Sequence, residues 1–137
     1  MLNVHRPALA GFALSAVLLA PIAQAEAFDL SGAWATDGEL CNRIFARKGS
    51  EIVFAELSDL YGSGFIIDGN RIIGKAAKCT IESRKEDGNG LVLTLACATS
   101  IMTQNMKFSL KAIDDNTITR MIEEVPGMSL KYSRCKI

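Results

Sequence analysis

The sequence predicts an all-β fold, a compact antiparallel up-and-down barrel of about eight strands with one short helix after the first strand. Two observations point there. Short apolar segments alternate with polar residues and are separated by turns of hairpin length. The chain also lacks any repeat or low-complexity segment, so successive strands form a meander, which in a small exported domain closes into a barrel. A two-sheet sandwich is the second arrangement this pattern allows.

The export expectation comes from the start of the 137-residue chain. Met1 to Pro7 carries Arg6 and no acid, and Ala8 to Ala20 is an uncharged apolar run that Pro21 breaks. Ala23-Gln24-Ala25 then gives the small-x-small pattern of a cleavage site. The apolar run is shorter than the roughly 20 residues a membrane span needs. The expected organisation is therefore residues 1–25 as a signal peptide and residues 26–137 as a single barrel domain, periplasmic or secreted.

Cleavage removes His5, the sole histidine. The mature chain then has no imidazole. That excludes Ser-His-Asp and Cys-His catalysis and His-ligated zinc, and the expectation is a protein that is not an enzyme and needs no cofactor. Loss of Arg6 from 15 basic and 15 acidic residues leaves the chain within one charge of neutrality. Such a balance offers no electrostatic basis for nucleic acid or an anionic membrane as partner.

The mature chain reads as follows. Ser31 to Thr36 is a β-compatible stretch around the only tryptophan, Trp34. Asp37 is a good N-cap for a helix over Glu39 to Lys48, with Gly49 just beyond its end. Glu51 to Glu56 is a strand, and Leu57 to Ser63 a loop. Phe65 to Asp68 and Arg71 to Gly74 are joined by Gly69-Asn70, which sets Ile67 against Ile72 and Ile66 against Ile73. Ala98 to Asn105 is a connection. Met106 to Ile113, Thr117 to Glu123 and Met128 to Cys135 complete the strands, separated by turns at Asp114-Asp115-Asn116 and around Pro126.

The hairpin Ala77 to Ala98 allows a test of register. Cys79 and Ile81 share one face of the first arm, and Leu91, Leu93, Leu95 and Cys97 share one face of the second. A two-residue loop would place Glu82 and Arg84 beside the leucines. An odd-length loop puts both apolar sets on one buried face. A three-residue loop over 87–89 sets Cys79 opposite Cys97, whereas a loop over 88–90 shifts them diagonally.

The four cysteines, Cys41, Cys79, Cys97 and Cys135, read as two disulfides in a small exported chain. Shared face and register favour Cys79–Cys97, which leaves Cys41–Cys135. The pairing Cys41–Cys79 with Cys97–Cys135 stays open. No C-x-x-C occurs, which disfavours a redox or zinc-ribbon motif.

Asp29-Leu30-Ser31-Gly32-Ala33-Trp34 resembles the G-x-W opening of calycin barrels, which include lipocalins, avidins and small bacterial metalloprotease inhibitors. In that superfamily an arginine late in the last strand covers the tryptophan, and Arg134 stands in the matching place. The resemblance implies a cation–π lid of Arg134 over Trp34, worth roughly 0.5–2 kcal/mol. It also implies that the tail Glu26 to Leu30 could enter a hydrolase, as in the inhibitors. More of the chain is similar to small secreted proteobacterial proteins, which implies location and fold without an activity.

Other features read as structure. The glycines of Tyr61-Gly62-Ser63-Gly64 lead into a strand, so they form a turn and not a phosphate loop. Met102, Met106, Met121 and Met128 could hold copper(I) but suit core filling better. Asp114-Asp115 and Glu123-Glu124 fall in turns, where solvated carboxylates are usual. The functional expectation is an exported binding protein whose partner is a small apolar ligand or a periplasmic protein. The alternatives are an inhibitor of a periplasmic hydrolase and an envelope protein without a ligand.

Overall fold

The computed structural model describes residue 20 and residues 27–137, and the signal segment read over residues 1–25 lies, Ala20 apart, outside the described residues. Eight strands form a closed antiparallel barrel: β1 (Gly32–Ala35), β4 (Gly64–Asp68), β5 (Arg71–Ile73), β6 (Lys78–Asp87), β7 (Gly90–Ala98), β8 (Thr103–Asp114), β9 (Thr117–Met121) and β10 (Ser129–Cys135). Each barrel strand pairs with its neighbour in the chain, and β10 closes on β1 with Trp34 opposite Arg134. Between β1 and β4 the chain leaves the barrel. It forms a 3-10 turn (Gly38–Leu40), the single short helix α1 (Cys41–Ile44) and a separate hairpin of β2 (Phe45–Lys48) and β3 (Glu51–Phe54).

That excursion corrects two expectations. The helix expected over Glu39 to Lys48 ends at Ile44, and its second half is strand β2. Gly49, read as a helix terminator, adopts φ 65° in the turn of a hairpin, a conformation both roles demand. Phe45 settles the outcome by pairing with Phe54, their ring centroids 5.1 Å apart. The strand expected over Glu51 to Glu56 is shorter and belongs to this hairpin, not to the barrel. The connection expected over Ala98 to Asn105 is a tight turn over residues 99–102, where Thr99 donates its backbone N–H to the Met102 carbonyl at 2.9 Å. Strand β8 begins directly after it.

The central hairpin resolves its parity in a way the sequence reading did not foresee. Asp87 pairs with Gly90, so the loop has two residues, Gly88 and Asn89, with Gly88 at φ 60°. The odd residue sits in a β-bulge at Glu82, between the pairs Ile81–Leu95 and Ser83–Thr94. Before the bulge Cys79 and Ile81 face the leucine side; after it, Arg84 and Glu86 do, opposite Leu93 and Leu91. A second bulge at Ile113, between the Ala112–Ile118 and Asp114–Thr117 pairs, turns that isoleucine out to solvent.

Two apolar clusters lie on opposite sides of the barrel wall. The interior is packed by Trp34, Phe65, Leu93, Leu95, Phe108 and Tyr132 among others, with Phe65 edge-on to both Tyr132 and Phe108 at 4.9 and 5.8 Å. The outer cluster forms where Ala33, Ala35 and Ile66, pointing outward, receive Ile44 and Phe45. Gly64 makes this contact possible. A β-carbon there would strike the Trp34 carbonyl oxygen and lie 2.9 Å from the Phe45 ring. Cys79–Cys97 crosses directly between paired strands, and Cys41–Cys135 ties α1 to β10.

The loops these bridges close differ in length, 94 residues for Cys41–Cys135 against 18 for Cys79–Cys97. Chain-entropy reasoning assigns roughly 4–5 kcal/mol to the first and about 3 kcal/mol to the second. Replacing each pair by alanine should therefore lower the urea midpoint more for Cys41/Cys135. The reverse order in equilibrium unfolding would refute the assignment.

Candidate functional site

One barrel end is built around the lead-in Ala27 to Ser31, which crosses it as a strap. Arg134, facing inward from the last turn of β10, donates from Nη2 to the Asp29 carbonyl at 2.6 Å and from Nη1 to the Ser31 carbonyl at 2.5 Å. Its Nε reaches the Asp115 carbonyl in the β8–β9 turn at 2.9 Å. The guanidinium lies 4.3 Å from the centroid of the buried Trp34 ring and 6.0 Å from that of Phe28. Trp34 completes the arrangement, its Nε1–H donating to the Leu30 carbonyl at 2.8 Å. An arginine suits this place because its planar fork can satisfy three carbonyls while one face stacks on indole.

A second arginine holds the strap from the other side. Arg84 donates to the Phe28 carbonyl at 2.9 Å and is paired with Glu86 at 2.7 Å. Sequence reasoning missed it, having treated Arg84 beside the leucines as a penalty. A charged residue forced inward by a two-residue loop was the available signal, because at a barrel mouth it can meet backbone carbonyls and water. Asp29 is the strap's own anchor. Its carboxylate accepts the Ser31 backbone N–H at 2.9 Å, and the bonds from Ser31, then the nearby Arg134 and Arg84, hold its pKa below the usual aspartate value.

Two concavities flank this end. Under the strap is a mouth pocket of about 250 Å³, with apolar walls from Phe28, Leu30, Leu91, Leu110 and Ile118 and with Arg84 and Glu86 at its edge. On the outside of the barrel a groove of about 670 Å³ runs between β3 and the wall formed by β4 and β5. Residues 50–54 form one side of it, Ile66 and Ile73 its apolar floor, and Arg71, Asp68 and Lys78 its far rim. Arg71 and Asp68 pair with each other at 2.5 Å.

The remaining candidates are not brought together. Met106 packs on the interior cluster, whereas Met102, Met121 and Met128 are exposed. Asp114 caps its own turn by accepting the Asn116 N–H at 2.8 Å, and Glu123 accepts the Ser109 hydroxyl at 3.0 Å. Tyr61 to Gly64 leads from a 3-10 turn into β4. Among the described residues no group of three His, Cys, Asp or Glu side chains could hold a metal ion. The four cysteines are all in disulfides.

No known protein family, curated protein or solved structure matches the chain. The eight-stranded antiparallel barrel is consistent with a calycin-like fold.

Two outcomes follow for the strap. Arg134→Met should cost about 2 kcal/mol or more, through lost charge-assisted hydrogen bonds and the lost cation–π contact, and should shift Trp34 fluorescence. Unchanged stability and emission would show that the strap is held elsewhere. Because the Asp29 pKa is lowered on folding, its contribution is complete above about pH 4 and disappears as pH falls through the lower folded value. An NMR titration should show Asp29 titrating below free aspartate, and the displacement should shrink in Ser31→Pro, which lacks the donor but keeps the nearby Arg134 and Arg84.

Proposed function

We propose that this is an exported, non-catalytic binding protein that engages a protein partner on the outside of its barrel. The observation that carries this reading is the contrast between a filled interior and an open outer groove. Leu93, Leu95, Ile118 and Trp34 are completely inaccessible to solvent, and the aromatic cluster of Phe65, Phe108 and Tyr132 fills the space between them. The outer groove of about 670 Å³ falls within the usual range for binding sites, roughly 300–1,000 Å³. The mouth pocket of about 250 Å³ falls just below it.

The absence of histidine from the mature chain supports a non-catalytic role, since no ordinary general base near neutral pH is then present. Export is supported by the amino-terminal sequence pattern and by two disulfides, which persist in oxidising compartments. Inhibition of an envelope hydrolase is one form such binding takes. A small apolar ligand is the second reading, favoured by the five apolar side chains around the mouth pocket.

Affinity capture from an envelope extract, with variants as controls, separates the two. Lys78→Glu and Val53→Arg alter the groove and leave the mouth untouched, whereas Leu110→Phe fills the mouth pocket alone. The protein-binding reading requires a captured protein that both groove variants lose by about tenfold and Leu110→Phe retains. A co-purifying small molecule released by Leu110→Phe would establish the second reading instead.

A further inference from the structure

The groove's hairpin side is a free strand edge, and its hydrogen-bonding groups can be assigned residue by residue. Lys48 and Glu51 flank the two-residue turn Gly49-Ser50 and pair directly. In such a hairpin the flanking pair exchanges both backbone hydrogen bonds, and the next bonded pair lies two residues further along each strand. Lys48–Glu51 and Ala46–Val53 are therefore the bonded pairs. The same parity continues beyond the hairpin, where the Ala55 N–H donates to the Ile44 carbonyl at 2.9 Å. It follows that Ile52 and Phe54 direct their N–H and C=O groups away from β2.

Strand β3 pairs with β2 alone, because the hairpin is a two-stranded sheet separate from the barrel. Among the described residues no other hydrogen bond reaches the backbone of Ile52 or Phe54. Four main-chain groups on this edge thus lack protein partners while standing over the apolar floor of Ile66 and Ile73. Side chains of Ile52 and Phe54 are half-buried, so the edge is recessed against the barrel wall. A recessed edge cannot meet another flat sheet, yet it admits a single extended chain.

We propose that the groove binds an extended peptide segment of a partner protein by strand addition to β3. This rests on the protein-binding reading above and specifies its chemistry. A small molecule or a helix would leave the alternating donors and acceptors of Ile52 and Phe54 unsatisfied, whereas an extended backbone matches them. Alternate side chains of the added strand would descend towards Ile66 and Ile73, which requires apolar residues at every second position. The four residues of β3 set the length of the added strand at about four or five residues.

Charge fixes the direction. Glu51 stands at the turn end of the groove without an ion-pair partner among the described residues, and Lys78, opposite Ile73, is likewise unpaired towards the other end. The fitting segment carries a basic residue at the Glu51 end and an acidic residue at the Lys78 end, with two apolar residues spaced by one between them.

The probe is a displayed library of random twelve-residue peptides selected on the disulfide-bonded protein. Selected peptides should share the alternating apolar pattern and the charge order. Bound peptide should protect the Ile52 and Phe54 amide protons from exchange, while those of Glu51 and Val53 are protected already. Ile52→Pro removes an outward donor without removing a β2–β3 bond, and should weaken binding about tenfold, whereas Ile52→Ala should retain most of it. Near-ultraviolet circular dichroism verifies that both variants fold. If either fails, selective N-methylation of the peptide at alternate positions supplies the same test. Peptides that bind, lose affinity in Lys78→Glu, but leave the Ile52 and Phe54 amides unprotected would overturn strand addition and keep the groove as a protein site. Selection that yields no peptide sensitive to Lys78→Glu would overturn both.

Discussion

Arg134 ties together parts of the chain that are far apart in sequence: the strap before β1, the β8–β9 turn and the end of β10. Its position is imposed by closure, since β10 must pair with β1 and Trp34 sits directly across from it. The indole fills the barrel interior, and the guanidinium spans the gap between indole and strap. Removing the charge would take away the donors that hold the Ser31 and Asp29 carbonyls at the barrel end. Together with Arg84 and the Trp34 indole, this side chain holds the lead-in in place as a floor for the core.

Two inward-facing arginines, Arg134 and Arg84, meet backbone carbonyls of the strap at one barrel end, whereas a third, Arg120, stacks on the interior Phe108 ring at 3.9 Å. Arg84 reaches this end only through the Glu82 bulge, which reverses the orientation of β6 beyond Ile81. Without the extra residue, either Cys79 would face outward or Arg84 would. The bulge thus reconciles a disulfide inside the barrel with a charged pair at its mouth, and it does so at the cost of one disrupted ladder position.

Much of the architecture was legible in the sequence because alternation reports burial directly. The pairs Ile66–Ile73 and Ile67–Ile72 follow from Gly69-Asn70, and the leucines of β7 declare one inward face. In the central hairpin the sequence placed Cys79 and Ile81 on the leucine face correctly, but the odd-length loop it called for is a two-residue loop plus a bulge, so Arg84 and Glu86 face the leucines as well. Phe45 to Lys48 was misread because Gly49 serves equally as a helix terminator and a turn residue; only the distant contact with Gly64 and Phe54 chooses between them. The outer groove left no local trace at all. It arises from the packing of β3 against residues from β4 to β6, brought together by topology alone.

The 94-residue Cys41–Cys135 bridge has a kinetic meaning separate from its thermodynamic one. Cys79 and Cys97 occupy adjacent arms of one hairpin and can meet as soon as that hairpin forms. Cys41 meets Cys135 only once the last strand has returned to the first, a non-local event of the kind that makes β-barrels slow to fold. The two sulfur pairs therefore record different stages of the same reaction. Whatever oxidises this chain must wait for closure before the second bond can be made correctly.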